Sequence, residues 1–334
     1  MSRAEVEARI AEFIQSLPKT ETHLHIEGAV PWELLQETFP GEFDFTPEAW
    51  AADFRYHNFT QFEDEILSYA GRYYTSPERY HESAKHVFQR HLDQNVRYVE
   101  TSFHLGIVEA LGATGPDILD AIKSAVPEGL EVRVFLGMLR DHYRDDMAKL
   151  LDAVHTWDGL DGIDMHGHET IPWGDWTADI WRNVHEAGKC AKAHAGEFEG
   201  ATDVNRALDL TKSQRIQHGN GAIQDESTFR RLLDEEVVLD MCPVSNVKLK
   251  SVLDVTKHPI REFFDAGVKV TVSTDDPTVF GNDLVHEYDL LMTHLDFSKQ
   301  EVIQVVRNGF DAALVDDQTR RMWLDELATI ESQL

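Results

Sequence analysis

Cysteine is scarce in this chain, and basic residues are outnumbered by acids. Of the 334 residues only two are cysteines, Cys190 and Cys242, so no disulfide framework beyond a single bridge is possible. Both lie in apolar, strand-like runs, which predicts two reduced, buried thiols and suits a reducing compartment. The 31 Lys and Arg against 60 Asp and Glu give a net charge of -29. Because nucleic-acid binding depends on Lys and Arg that displace counterions, this charge argues against a nucleic-acid partner.

Long hydrophobic runs are missing as well. No segment approaches the ~20 apolar residues of a membrane-spanning helix, so we expect no membrane partner. The first segment has apolar residues at helical spacing with acids between them, and it lacks the basic start and apolar run of a signal peptide. No Pro/Gly/Ser-rich linker and no internal repeat divides the chain. The sequence therefore predicts a cytoplasmic protein in which residues 1–334 form one domain.

Short apolar runs that end in polar residues alternate with longer helical stretches. Residues 77–95 follow the 3.6-residue period, and residues 259–266 precede Gly267, a typical helix stop. Such alternation predicts a parallel sheet, and eight strands in a chain of this length predict a TIM-type (β/α)8 barrel with additional helices. The alternative, an open doubly wound sheet, should carry a Gly-rich loop after its first strand, where this chain has His-Leu-His. The predicted strands are residues 19–25, 97–103, 131–139, 160–165, 189–195, 215–218, 237–241 and 268–273.

Metal-ligating side chains stand at the ends of these predicted strands, where a barrel places its chemistry. The first strand ends in His23-Leu24-His25, whose imidazoles point to one face. The fifth ends at His194 and the eighth reaches Asp275-Asp276, where one Asp can bind a metal while the other faces a substrate. Three imidazoles and one carboxylate suit a single Zn²⁺ and admit Fe or Co. The sequence thus predicts a metal centre of His23, His25, His194 and Asp275.

Several of these motifs occur together in the order and spacing of a known family. Glu197 follows His194 by three residues, and His218 ends the sixth predicted strand. From about residue 17 to about residue 310 the chain resembles the adenosine/adenine deaminase family, within the metal-dependent amidohydrolase superfamily. The resemblance is carried by Lys19…His23-x-His25…Gly28, His194-Ala195-Gly196-Glu197, His218-Gly219, Cys242-Pro243-x-Ser245-Asn246 and Thr274-Asp275-Asp276-Pro277.

The resemblance implies a TIM-type barrel that hydrolytically deaminates a 6-aminopurine of the adenosine or adenine type, with one bound Zn²⁺. It implies that Glu197 protonates the purine N1 and that His218 orients the attacking water. The chemistry is consistent, because attack at C6 pushes electrons onto the ring and a carboxyl group with a raised pKa can deliver the proton. Zinc makes water nucleophilic near neutral pH.

The resemblance also implies substrate contacts. Asp276 would hydrogen-bond N7, and the backbone of Gly167 would meet N3. Glu27 stands where adenosine-specific members carry Asp, and it is similar to adenine deaminases and to relatives that act on modified adenosines. His166-Gly167-His168 departs from the family pattern, and three interpretations stay open: polar loop histidines, substrate contact through His166, or a second metal site.

An apolar stripe at residues 59, 62, 66 and 69 has helical spacing. It predicts either core packing or an apolar lid, in which case Phe62 would contact the purine.

Other functions are weighed against this pattern. A deaminase of a modified adenosine or of another amino-heterocycle would need the same groups. Another mononuclear amidohydrolase is also possible, whereas a two-metal enzyme is disfavoured because the fourth predicted strand ends Asp164-Met165-His166 without Lys. The zinc deaminase fold that flips nucleobases needs H-x-E followed by P-C-x-x-C, and this chain has no such pair of cysteines. A non-catalytic relative should have lost ligands that are all retained here.

Overall fold

Eight parallel strands form one sheet in chain order in the computed structural model, which describes residues 3–112 and 114–334. After the last strand the chain returns to the first, since Asp275 N donates to His23 O and His25 N donates to Asp275 O, both at 3.0 Å. The sheet is therefore a nearly closed barrel, and the predicted TIM-type fold is confirmed. The strands are β1 (Lys19–His25), β2 (Val96–His104), β3 (Glu131–Leu139), β4 (Gly162–His166), β5 (Cys190–Ala195), β6 (Arg215–His218), β7 (Val238–Met241) and β8 (Lys269–Val272).

Helices surround the barrel and lie between its strands in the sequence. In the described residues they are α1 (Arg3–Ser16), α2 (Trp32–Thr38), α3 (Phe59–Tyr73), α4 (Pro77–Asp93), α5 (Leu105–Leu111), α6 (Gly115–Lys123), α7 (Asp145–Ala153), α8 (Trp176–Glu186), α9 (Gly200–Thr211), α10 (Glu226–Asp234), α11 (Pro243–Lys248), α12 (Ile260–Asp265), α13 (Pro277–Phe280), α14 (Leu284–His294), α15 (Lys299–Ala312) and α16 (Asp317–Glu331). Short 3-10 turns occur at Glu27–Ala29, Glu48–Trp50, Val154–Thr156, Asn220–Gln224 and Val255–Lys257. None of these helices is long and apolar enough to cross a membrane.

The predicted elements differ from the observed ones only at their ends. All eight strands lie where the sequence predicts them, within one or two residues at each end. The predicted helix at residues 77–95 is α4, which ends at Asp93 because Asn95 adopts the left-handed conformation with φ 62°. The helix predicted before Gly267 is α12, and Gly267 has φ 90°.

A layer of buried charged side chains lies in the barrel, on the N-terminal side of the predicted metal ligands. Lys192 contacts Glu100 and lies 3.6 Å from Asp240. Arg215 pairs with Glu100 at 3.0 Å and with Asp240 at 2.8 Å. Two cations therefore balance two anions in the barrel interior, and this pairing offsets part of the cost of burying them.

The two cysteines are free thiols. Cys242 is buried, as predicted, beside His23 Nδ1 at 3.4 Å. The prediction of a buried Cys190 is wrong in part, because this residue begins β5 and stays partly exposed.

Candidate active site

The four predicted metal ligands come together at the C-terminal mouth of the barrel. One ligand atom from each of His23, His25, His194 and Asp275 lies within 4.8 Å of the other three. Asp275 Oδ1 is 3.2 Å from His23 Nε2 and 3.3 Å from His25 Nε2. Although burial opposes ionisation, the neighbouring His23 and His25 hold the pKa of Asp275 well below its usual range. A carboxylate among three imidazoles is a site for a divalent metal ion.

The orientation of the three imidazoles fits such an ion. In each ring Nδ1 points away from the group and makes a hydrogen bond with the protein. The partners are Asp240 O at 3.3 Å for His23, Ser102 Oγ at 2.8 Å for His25, and Met165 O at 2.9 Å for His194. This leaves Nε2 to point inward, which is how protein groups orient histidine ligands around a metal. His23 Nε2 is buried and makes no hydrogen bond in the described structure. Such an atom costs free energy unless a ligand satisfies it, so the residues present fit a metal ion.

Two of the site residues have unusual backbone conformations. His218 has φ 62° and Asp275 has φ 66°, values that side-chain-bearing residues rarely adopt and that cost about 1–3 kcal/mol each. The Asp275 turn is held by Glu21, whose carboxylate accepts hydrogen bonds from Thr274 N at 3.1 Å and Thr274 Oγ1 at 2.8 Å. Ser245 Oγ donates to Asp275 Oδ2 at 2.6 Å. The strained conformation aims both side chains into the barrel mouth.

Glu197 and His218 lie side by side next to the ligand group. Glu197 Oε1 accepts a hydrogen bond from Asn246 Nδ2 at 2.9 Å, and Glu197 Oε2 lies 3.5 Å from His218 Nε2. Burial, together with the carboxylates of Asp275 and Glu169, raises the pKa of Glu197 well above its usual range. Burial and the neighbouring His23 keep the pKa of His218 well below its usual range. The raised pKa favours the protonated form of the Glu197 carboxyl group, and the lowered pKa favours the neutral form of the His218 imidazole.

The loop that carries Glu197 is held by a second buried carboxylate. Glu169 accepts hydrogen bonds from three consecutive backbone N–H groups, those of Glu197 at 2.9 Å and of Phe198 and Glu199 at 2.8 Å. Arg140 fixes the same region, since it donates to Glu169 O at 2.7 Å and pairs with Asp203. These contacts set the direction in which Glu197 leaves β5.

A cavity of about 260 Å³ opens above the ligand group. Asp276 lines it, and burial with the neighbouring Asp275 raises the pKa of Asp276 well above its usual range. Gly28 faces Asp276 so closely that a Cβ there would lie 1.7 Å from Asp276 Oδ1, so no side chain fits at this position. Gly167 also lines the cavity and has φ 84°, which favours glycine.

Glu27 is buried at the cavity wall. Its Oε1 accepts hydrogen bonds from Tyr80 Oη at 2.6 Å and from His104 N at 2.9 Å. Burial raises its pKa, against the effect of these hydrogen bonds. The protein thus holds the Glu27 carboxyl group through one oxygen, Oε1.

His166 and His168 separate in the structure. His166 lines the cavity, and its Nε2 lies 2.8 Å from His104 Nδ1. His168 lies beyond the turn at Gly167, where its Nε2 is 2.7 Å from Glu63 Oε2 on α3. Within the described residues the two histidines share no group of ligand atoms close enough for a metal. The two histidines of this His-x-His pair therefore do not converge on one ion, because the turn sends the rings to different partners; His166 instead forms a group of ligand atoms with His25 and Asp164.

The apolar stripe on α3 lies partly in the core and partly along the cavity. Phe62 is buried, stacks on Phe280 with ring centroids 5.3 Å apart, and also lines the cavity. Its neighbours Phe59, Ile66 and Leu67 line the cavity as well. Helix α3 is therefore an apolar wall of the cavity whose residue Phe62 is anchored in the core.

Leu67 allows the role of this wall to be tested without disturbing the core. It lines the cavity but is 58% exposed. We expect Leu67→Ala to raise KM about two- to fivefold with little change in Tm, because the lost apolar contact is with substrate. Phe62→Ala should also lower Tm, since it removes core packing. An unchanged KM in both variants, measured by steady-state kinetics, would show that α3 does not contact substrate.

Some residues of the site escaped the sequence analysis as functional groups. Asn246 and Ser245 stand in a quoted motif, yet their contacts with Glu197 and Asp275 span 49 and 30 residues. Glu169 and His104 give no local signal beyond being polar residues after a predicted strand. That position at a strand end is the one feature that could have drawn attention to them.

The fold and the buried histidine–aspartate group define a metal-dependent hydrolase barrel. The chain belongs to the adenosine deaminase family, whose model matches residues 18–330. It is 30% identical to an adenine deaminase of Acinetobacter baylyi over 336 residues, which cover 96% of this chain and 99% of that protein. The crystal structure of adenine deaminase from Arthrobacter aurescens matches with a TM-score of 0.86 and 25% identity, covering 95% of this chain and 99% of that one. A Burkholderia ambifaria amidohydrolase with bound Zn shares the fold, with a TM-score of 0.81, 23% identity and coverage of 100% and 95%. The chain is accordingly a hydrolase that acts on carbon–nitrogen bonds.

Proposed function

We propose that this enzyme removes the 6-amino group of adenine by hydrolysis and that its metal is a single Zn²⁺ ion held by His23, His25, His194 and Asp275. The observation that carries the proposal is the buried Glu197 carboxyl group, which Asn246 holds beside His218 and the ligand group. Its relatives named adenine deaminase and the zinc in a barrel of the same fold support the substrate and the metal.

Each side chain of the site has its own role in the proposed reaction. A bound zinc ion supplies water that is nucleophilic near neutral pH. His218, whose Nδ1 accepts a hydrogen bond from Asn246 Nδ2 at 3.1 Å, presents Nε2–H to the attacking water and orients it towards C6. Glu197 delivers its proton to N1 as electrons move onto the ring, and Asn246 holds the Glu197 carboxyl in place. Of the two protons of the attacking water, one restores Glu197 and the other passes to the amino group, which leaves C6 as ammonia. Asp276, protonated through burial, donates a hydrogen bond to N7, and Gly167 N–H meets N3.

The charge of the cavity favours an uncharged substrate. Its described lining contains no Lys or Arg, and its acids are Glu27, Glu63, Glu197, Asp275 and Asp276. A phosphate group gains affinity from Arg or Lys side chains, and the described lining supplies neither. A nucleobase or nucleoside therefore fits better than a nucleotide.

Ammonia release from adenine, adenosine, 5′-modified adenosines and AMP tests the proposal. We expect kcat/KM for adenine to exceed that for AMP by at least about 100-fold with the Zn²⁺-loaded enzyme. Removal of the metal by a chelator should abolish turnover, and added Zn²⁺ should restore it. Equal turnover of AMP would contradict the uncharged-substrate assignment. If no purine were turned over by protein with verified metal, the proposed reaction would be wrong.

A further inference from the structure

We propose that His104 and His166 form a hydrogen-bonded pair that reads the N3 and N9 edge of the free purine base and so rejects N9-substituted purines. This inference rests on the proposed function, because it assumes that a 6-aminopurine occupies the cavity. The pair is a specificity determinant and takes no part in the attack on C6.

The two imidazoles are joined directly and both face the cavity. His104 Nδ1 and His166 Nε2 are 2.8 Å apart, and the ring centroids are 4.9 Å apart. Both residues line the cavity, on the side formed by β2 and β4. The backbone N–H of His104 also donates to Glu27 Oε1, which ties the pair to the predicted substrate contact on β1.

Two glycines make room for these rings. A Cβ at Gly106 would lie 2.8 Å from His104 Nε2, and a Cβ at Gly137 would lie 2.5 Å from His166 Cε1. Neither position could carry a side chain while the rings stay in place. Neither glycine needs a positive φ, so close approach to the rings is the reason for glycine at both places.

The hydrogen bond makes the pair a matched donor and acceptor. Because the two facing nitrogens are only 2.8 Å apart, they share one proton, and one of the two is unprotonated. One ring then donates its N–H to the other. If His104 Nδ1 is the donor, His104 Nε2 accepts and His166 Nδ1 donates outward; if His166 Nε2 is the donor, the outer roles are reversed. In the described structure neither outer nitrogen has a protein hydrogen-bond partner.

The position of the pair matches the far edge of the base. Under the proposed function, groups on and after β5 to β8 act at N1, C6 and N7. The opposite edge of the purine then faces the ends of β2 to β4, where His104 and His166 lie. In adenine this edge presents a donor, N9–H, which complements the outer unprotonated nitrogen of the pair, beside N3, which Gly167 N–H meets. A nucleoside lacks N9–H and would leave the imidazole acceptor unpaired in a buried site.

The test compares adenine with 9-methyladenine. We expect the wild-type enzyme to favour adenine in kcat/KM by about 100-fold. The variants His104→Phe and His166→Phe retain a ring of similar bulk but remove the nitrogens, so the ratio should fall below about tenfold, mainly through slower turnover of adenine. The matched control is His168→Phe, a histidine of the same loop outside the pair, which should keep the wild-type ratio.

Two results would overturn the inference: a wild-type ratio near one, or a ratio that stays near 100-fold in both Phe variants, since rejection by bulk alone would survive these substitutions. Binding of the two bases to Glu197→Gln protein, measured by calorimetry, gives a readout that does not need turnover. A Kd ratio that depends on the pair would support the inference even if ammonia release failed. Turnover of adenine without such dependence would leave the proposed function in place and reject the pair.

Discussion

Replacing Glu197 with Gln is expected to lower kcat by about 10²- to 10⁴-fold, the range that general acid catalysis contributes. Gln has nearly the same shape and can keep the hydrogen bond from Asn246 Nδ2, which is 2.9 Å long in the native protein. Its amide N–H can approach N1 but cannot transfer a proton to it. We therefore expect KM to change little. Steady-state kinetics of ammonia release measures both quantities.

Metal content separates this role from a structural one. Glu197 is outside the group formed by His23, His25, His194 and Asp275, so Glu197→Gln should bind as much metal as the native protein. The contrasting variant Asp275→Ala removes a ligand, and it should lose both metal and activity. Near-normal kcat in Glu197→Gln, with full metal content, would contradict the proton-donor role.

Replacing Glu100 with Gln is expected to destabilise the fold by about 3–5 kcal/mol, because it leaves a buried cation without its counter-charge. Glu100 contacts Lys192, pairs with Arg215 at 3.0 Å and accepts a hydrogen bond from Tyr98 Oη at 2.6 Å. Without it, two buried cations would face the single carboxylate of Asp240. The loss corresponds to a fall in Tm on the order of 10 °C, measurable by thermal unfolding.

Two further variants decide whether charge balance is the cause. Adding Lys192→Met to Glu100→Gln restores neutrality and should recover part of the lost Tm. The control Asp146→Asn breaks a pair with Lys149 whose side chains are 87% and 82% exposed, so its Tm should hardly change. If the Tm of the double variant were lower than that of Glu100→Gln, the packing of these side chains and not their charge would be responsible.

The sequence by itself determined the barrel and the ligand group. Strand and helix periods are local properties, and His23, His25, His194 and Asp275 all sit at strand ends, which a parallel barrel brings to one rim. The two histidines of His23-Leu24-His25 face the same side because side chains two residues apart on a strand point in the same direction. Because these periods are local, the strand boundaries were predicted within one or two residues.

Only the tertiary structure decided how the remaining groups pair. The contact between His104 and His166 spans 62 residues, and that between His168 and Glu63 spans 105. Such pairs depend on which strand ends and loops become neighbours once the barrel closes, and no local pattern encodes that distance. The left-handed conformations of His218 and Asp275 are likewise unfavourable locally. They persist because contacts from distant segments hold them, as the Glu21 carboxylate holds Thr274 beside Asp275.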